Sequence, residues 1–514
     1  MHQPKLPVQQ LLILSICRFA EPIVFTSILP YLPELVEYVG VPRNEVAKWV
    51  GICSAVASLS QALMAVPWGT ASDRVGRKPV ILFGLTCTMV CSIMFGMSQS
   101  LTMVLISRMM LGLMNGNVGI LRTMVAEMVP ERELQPRAFS ILPLVWTVGS
   151  IFGPAFGGML ARPAEKHPAL FGDSWFLRRF PFALPNLAAA CFFIIGITTG
   201  FLFLRETLET QKDRRDYGLF LGKAITRSCL SRKHQDSGPV TSDERASLLP
   251  ENGQPPRKKK PVRQPSWSQV FTPQSNLVLL AYSLLAMHSM AFDSVFPVFL
   301  HYPVQEFEGN PDVQLPFKFA GGFGVDAQTI GLFYTIIGTT GMVIQFLCFP
   351  PIATRYGVLK CLKVSVIILP LTYLITPFTA LVPVTLRIPT VLSIMLVRLS
   401  AGIFGVPCCT ILLTNSASTL TVLGTLNGVA TTFSAVGRAA GPALTGAAFS
   451  FGVSRGYVVF PWWVLALLAA LSAVPVFWLV EMEGPKREDN YDYDDDDEVY
   501  DDHDYDVRTG VEVR

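Results

Sequence analysis

The chain has 514 residues, of which 51% are hydrophobic and 15% are charged. Soluble domains carry roughly 25% charged residues, so a string of soluble domains is excluded. The net charge of +3 has no message of its own, because it sums a basic middle and an acidic end.

Apolar stretches of about 20 residues, each long enough to cross a ~30 Å hydrocarbon core, follow one another along the chain. The expected spans are 9–32, 48–67, 79–97, 101–124, 138–160, 181–204, 276–299, 328–349, 361–381, 389–413, 426–450 and 458–480. The first holds Arg18 and Glu21 and is too long for the apolar core of a cleavable signal, so it is read as a retained helix. Glycine and proline inside the spans are compatible with membrane helices, whose neighbours re-satisfy freed backbone groups.

Residues 205–272, rich in Lys, Arg, Ser, Pro and Asp, separate two sets of six spans. Such a composition cannot build a core and is expected to be a mostly disordered linker. Its 14 Lys and Arg place it on the cytoplasmic side by the positive-inside bias, which puts both termini there too. The run Arg257-Lys258-Lys259-Lys260 belongs to that bias and not to a nucleic-acid site. Residues 484–514, centred on Asp494–Glu498, are expected to be a solvated acidic tail. The linker also contains Glu244-Arg-Ala-Ser-Leu248-Leu249, an acidic-dileucine pattern of the form sorting adaptors read from extended peptides. Both a vacuolar and a plasma-membrane destination follow as open alternatives.

The two halves echo each other. Arg108-x3-Gly112 recurs as Arg398-x3-Gly402, and Gly149-x3-Gly153-Pro154 as Gly437-x3-Gly441-Pro442, at offsets of 290 and 288 residues. Two motifs recurring in order at nearly one offset indicate an internal duplication.

Four sites carry candidate chemistry. In the first span, Arg18 and Glu21 stand three apart on one helix face. Burial penalises a charged carboxyl and a neighbouring guanidinium favours it, so such a pair is a candidate proton carrier; a static ion pair is the plainer alternative. In the fourth span, Arg108, Gly112, Asn115, Gly116 and Gly119 are expected on one face of a single helix. An arginine inside a span is costly and faces a cavity or a partner. In the seventh span, His288 and Asp293 lie near the outer half, with Asp293 the second proton candidate. Arg438 is a further charge in the eleventh span without an evident partner. In the turn between spans two and three, Gly69-Thr-Ala-Ser-Asp73-Arg74-Val-Gly76-Arg77-Lys78, glycine permits a tight turn and Asp73 can accept charge-assisted hydrogen bonds. Arg77 and Lys78 are expected to face the anionic leaflet.

That turn closely resembles the signature loop of the major facilitator superfamily, G-x-x-x-D-R-x-G-R-[KR]. The resemblance covers nearly everything outside the linker and tail. It implies an all-α membrane protein in the major facilitator fold: an N-terminal half 1–204 and a C-terminal half 273–483, six helices each, around a central cavity. It also implies that Gly69, Asp73, Arg74, Gly76 and Arg77 gate movement between the halves. The counterpart in the second half, Arg355-Tyr-Gly357-Val-Leu-Lys360, is degraded. The stretch around Arg108 resembles the helix-4 motif of proton-coupled facilitators, in which the arginine serves proton transfer. Gly149, Gly153, Pro154, Gly157 and Gly158 resemble the helix-5 signature of drug:proton antiporters, which implies export. Within the superfamily, Arg108-x2-Leu-Gly-x2-Asn-Gly and Glu21-Pro-Ile-x-Phe-Thr-Ser-Ile-Leu-Pro-Tyr resemble the zinc-induced facilitator-like group, allied to tetracycline:proton antiporters.

The ten cysteines have no redox or metal-ligand spacing, and no His/Asp cluster suggests a metal. The nucleotide-binding loop G-x-x-x-x-G-K-[ST] and the HExxH signature are absent, so neither ATP drive nor an enzyme is expected. The expectation is a secondary active, proton-coupled exporter of a small organic molecule, working by alternating access without a cofactor. Its partners are the substrate, protons, the bilayer and, through the linker, sorting adaptors. An importer and a non-transporting membrane sensor are the alternatives.

Overall fold

A computed structural model describes residues 6–129, 134–208, 211, 216–230, 267–306, 310–311, 313–417 and 420–482. The first half contains α1 (Val8–Tyr38), α2 (Val46–Val75), α3 (Arg77–Gly96), α4 (Leu101–Met114), α5 (Asn117–Met128), α6 (Gln135–Leu160) and α7 (Ala183–Phe203). A further helix, α8 (Tyr217–Leu230), follows. The second half contains α9 (Pro273–His301), α10 (Ala327–Val343), α11 (Phe349–Tyr356), α12 (Val358–Ile375), α13 (Val384–Asn415), α14 (Leu420–Ser454) and α15 (Val459–Phe477). Eleven stretches among the described residues are long and apolar enough to cross a membrane. The 35-residue α14 packs between α2, α9 and α15 as a twelfth long member of the bundle.

The fourth expected span is not one helix. It stops at Met114 and restarts at Asn117, because Asn115 and Gly116 are poor helix formers and the break is supported from α2. Trp68 lies flush against Gly116, where any Cβ would collide with its ring. Its indole N–H donates to the Leu113 carbonyl at 2.7 Å, and Gln61 Nε2 donates to the Asn115 carbonyl at 3.5 Å. Carbonyls that the break strips of helical partners are thereby satisfied inside the bundle, as a membrane interior requires. The eighth span is also interrupted, by a five-residue π-helical turn, Ile344–Cys348, between α10 and α11.

The halves meet through two crossings related by the internal duplication. In one, a Cβ at Gly158 of α6 would strike the Ala327 carbonyl, and a Cβ at Gly331 of α10 would strike the Pro154 carbonyl. In the other, Gly446 of α14 faces the Ala47 carbonyl, and Gly51 of α2 faces the Pro442 carbonyl. Pro154 and Pro442, and Gly158 and Gly446, are each 288 residues apart; Ala47 and Ala327, and Gly51 and Gly331, are each 280 apart. Glycine at each crossing lets two backbones touch, the favoured packing where lipid provides no hydrophobic drive between helices. Both crossings lie at the end of the bundle away from residue 205, here the far end; the opposite end is the linker end.

Valine at Gly158 or Gly446 should therefore disfavour the state closed at the far end by about 1–3 kcal/mol, with each half still folded. Pulsed electron paramagnetic resonance between labels on the far ends of α2 and α14 should show a longer-distance population growing. An unchanged distance distribution in both variants would contradict the role of the crossings.

Candidate functional site: charges within the bundle and the turn at its linker end

The Glu21 side chain is 0% exposed. One carboxylate oxygen pairs with the Arg18 guanidinium one turn earlier, and the other accepts from Asn117 Nδ2 at 2.9 Å. Asn117 is the first residue of α5, so the break in the fourth span is what delivers an amide to this carboxylate. Room for that amide comes from Gly84 of α3, where a Cβ would collide with Asn117. Arg18 also lies over the Trp146 ring of α6, 5.7 Å from its centroid. Four elements thus converge on one buried carboxyl.

The second half holds a parallel pair. Asp293 on α9 meets Arg398 on α13 at 3.1 Å; Arg398 also donates to the Ser289 carbonyl at 3.2 Å and stacks 4.2 Å from the Phe292 centroid. His288 is fully buried, with Nδ1 3.1 Å from the Tyr373 hydroxyl and Nε2 3.3 Å from the Ser472 hydroxyl. Those contacts fit a neutral core histidine. Arg108, the counterpart of Arg398 in the duplication, sits buried within the first half, 5.8 Å from the Phe95 centroid. Its Nε and Nη1 have no hydrogen-bond partner among the described residues. Glu21, whose partners are Arg18 and Asn117, is therefore not paired with Arg108. Arg438 reaches the Ser434 hydroxyl at 3.4 Å.

Polar contacts between the halves cluster at the far end. Glu34 of α1 accepts from the backbone N–H of Ala327, the first residue of α10, at 2.6 Å, while its other oxygen is buried without a partner among the described residues. An anion at a helix N-terminus is favourably placed. Glu37 meets His301 of α9 at 3.0 Å, Lys166 meets Asp326 at 2.8 Å, and the Ser54 and Ser294 hydroxyls lie 3.4 Å apart. Asp326 also caps α10 through the Thr329 N–H at 3.1 Å. Burial works to raise the Asp326 carboxyl, but hydrogen bonds from Lys166 and Thr329 outweigh it and hold it at about 2.

At the linker end, Gly76 joins α2 to α3 at φ 116°, a conformation open to glycine, and a Cβ there would also crowd the Glu206 carboxylate. Glu206 accepts from the backbone N–H groups of Arg77 at 2.9 Å and Lys78 at 3.0 Å, capping α3 from the end of α7. Asp73 pairs with Arg77 at 2.5 Å, and Arg77 reaches on to Glu127 at 3.0 Å and the Ser72 hydroxyl at 2.6 Å. Lys78 pairs with Asp216 at 2.6 Å. The expectation that Arg77 and Lys78 face the leaflet is thereby corrected. Both are buried, because acidic residues at the end of α5 and beyond α7 fold over the turn. Asp73 takes a partner from its own turn; its side chain is 60% exposed. A Cβ at Gly69 would meet nothing within 4 Å among the described residues.

In α6, Gly149 faces Pro22, Gly153 faces Thr26 and Gly157 faces the Ser27 carbonyl, so three of the stripe's glycines pack on α1 and Gly158 crosses to α10. In the fourth span, Gly112 packs on the Ala57 carbonyl, while Gly119, beyond the break, has nothing against it among the described residues. The single-face stripe expected from a continuous helix is therefore split. Glu244, Leu248, Leu249 and the acidic tail lie outside the described residues. No group of three potential metal ligands occurs among the described residues.

Sequence reasoning missed Asn117, Trp68, Glu34, Glu127 and Glu206. The Asn115-Gly116-Asn117 triplet was a legible signal for the break. The three acidic partners carried no local signal, since each acts across the bundle or between distant segments.

Residues 14–311 match the Major Facilitator Superfamily. The major facilitator superfamily multidrug transporter mfsB of Aspergillus fumigatus is 34% identical across 94% of this chain and 85% of that protein. Zinc Induced Facilitator-Like 1 of Arabidopsis thaliana is 26% identical across 88% of this chain and 87% of that protein. The efflux pump azaK of Aspergillus niger is 26% identical across 92% and 88%. Among solved structures, a D-xylose–proton symporter superposes with a TM-score of 0.62 at 12% identity, covering 93% of this chain and 99% of that one.

A carboxyl held at about 2 keeps the Lys166–Asp326 bridge charged across ordinary pH. Its contribution is complete above the usual carboxyl value of 3.8 and is lost as pH falls from 3.8 towards 2. Far-end distances should thus be the same with and without Asp326→Asn below about pH 2, and differ equally at pH 5 and pH 7. A difference that vanishes between pH 7 and pH 5 would contradict the assignment.

Proposed function

We propose that this chain, which belongs to the major facilitator superfamily, is a proton-coupled exporter of a small organic molecule. It is a multi-pass membrane transporter and not an enzyme. The observation that carries proton coupling is Glu21: a fully buried carboxyl bridged to Arg18 and to an amide that stands at a helix break. Protonation would release Arg18 and leave the Asn117 contact able to persist, so one titration changes the link between α1 and the Arg18–Trp146 contact on α6. Asp293 with Arg398 offers the second half a site of the same kind. Export is supported by the α6 stripe, whose glycines bring α6 against α1 and α10, and by the similarity to transporters named for multidrug transport and efflux.

The linker side is the cytoplasmic side in this proposal, with both termini there. The described arrangement, with its polar contacts and glycine crossings at the far end, is then the state closed to the outside or to a lumen. Transport requires those crossings to part while the α2–α3 turn closes against the second half. Asp73, Arg77 and Glu127 form the group that holds that turn.

Glu21→Gln should abolish substrate movement driven by a pH gradient in reconstituted vesicles while leaving substrate exchange measurable. A variant that still concentrates substrate against its gradient would move the proton role elsewhere. Asp73→Asn should cut transport severely with insertion and thermal stability intact, because it removes one of two carboxylates from Arg77. Normal flux at normal expression would argue against gating by this turn.

A further inference from the structure

Residues 205–272 read as a polar linker, yet their described part includes α8, seated at the linker end of α7. Gly218 lies on the Phe201 carbonyl and Gly222 on the Leu202 carbonyl, where any Cβ would collide. The helix is therefore docked on the last turn of a helix long and apolar enough to span a membrane. Asp216 fixes its start: one oxygen accepts from the Leu219 N–H at 3.1 Å, and the other pairs with Lys78.

The docked glycines leave a second face uncovered. Tyr217, Phe220, Leu221 and Ile225 are 77%, 77%, 49% and 44% exposed. They recur at i, i+3, i+4 and i+8, the spacing of one helical stripe. Lys223 and Thr226, also exposed, lie on the side of the helix away from that stripe. The helix on which it docks, α7, itself exposes Ile194, Ile195 and, at the docking turn, Phe201. At the same end of the bundle, Trp267 and Phe271 stack at 5.8 Å and are exposed, in the place where interfacial aromatics gather.

We propose that α8 is an interfacial helix whose Tyr217–Phe220–Leu221–Ile225 face lies in the headgroup–acyl boundary of the bilayer on the linker side. Three observations select a bilayer as the occupant. The helix axis starts from the terminal turn of a spanning helix. α8 docks on a helix exposing apolar residues, Phe201 at the docking turn among them, that membrane insertion turns toward lipid. Its lysine lies on the opposite side, where headgroups and water are. Because Asp216 both begins α8 and holds Lys78, the same helix connects the bilayer surface to the α2–α3 turn.

The test uses the full chain reconstituted in liposomes, with an environment-sensitive fluorescent amino acid placed at Phe220 and, separately, at Thr226. Brominated phosphatidylcholine should quench the probe at 220 strongly, with a blue-shifted emission, and the probe at 226 weakly. A red-shifted, unquenched probe at 220 means that this face is in water and overturns the proposal. A blue-shifted but unquenched probe at 220 means that protein covers it, from a second copy or another partner, and overturns it equally. Both positions are exposed, so neither replacement disturbs the packing of the bundle.

Discussion

Backbone-to-backbone contact at two glycine crossings is the constraint on which the rest of the structure depends. A membrane removes the hydrophobic drive between helices, so shape has to join the halves. Gly158 on Ala327 with Gly331 on Pro154, and Gly446 on Ala47 with Gly51 on Pro442, do so twice with near symmetry. Such contacts are tight but weak individually, which suits an interface that has to open. The carboxylate and histidine contacts around Glu34, Glu37 and Asp326 are laid over these crossings, at the same end.

The interior charges follow a second rule. In a low-dielectric bundle an unpaired charge is costly, and truncating one member of a buried pair costs more than the pair contributes. Arg18 with Glu21 and Asp293 with Arg398 obey it. Arg108 departs from it, with two guanidinium nitrogens lacking partners among the described residues. A transporter alternates between states, and a group that lacks a partner in one is available to gain one in another. The duplication thus produced similar positions, Arg108 and Arg398, with different electrostatic surroundings.

The fold was legible in the sequence because apolar length and internal repetition are local or periodic quantities. Span positions agree with the helices to within several residues at their ends, and the glycine and proline offsets marked the duplication that the paired crossings display. What escaped was long-range. The partners of Arg77 and Lys78 lie on α5 and beyond α7, and no spacing rule links residue 77 to 127 or 78 to 216. The break in the fourth span depends on Trp68 and Gln61 from α2, so helical periodicity alone carried through it. The α8 helix escaped because average composition conceals one 14-residue amphipathic helix inside a polar segment.

The proposed cycle exchanges substrate against protons. Its most direct test is lumenal pH in proteoliposomes during substrate movement down an imposed gradient, with a pH dye inside and a panel of candidate organic substrates outside. Substrate entering the lumen should be accompanied by protons leaving it, seen as lumenal alkalinisation that stops when the substrate gradient is spent. Protons entering together with the substrate, or substrate entry with no proton movement, would contradict the claim.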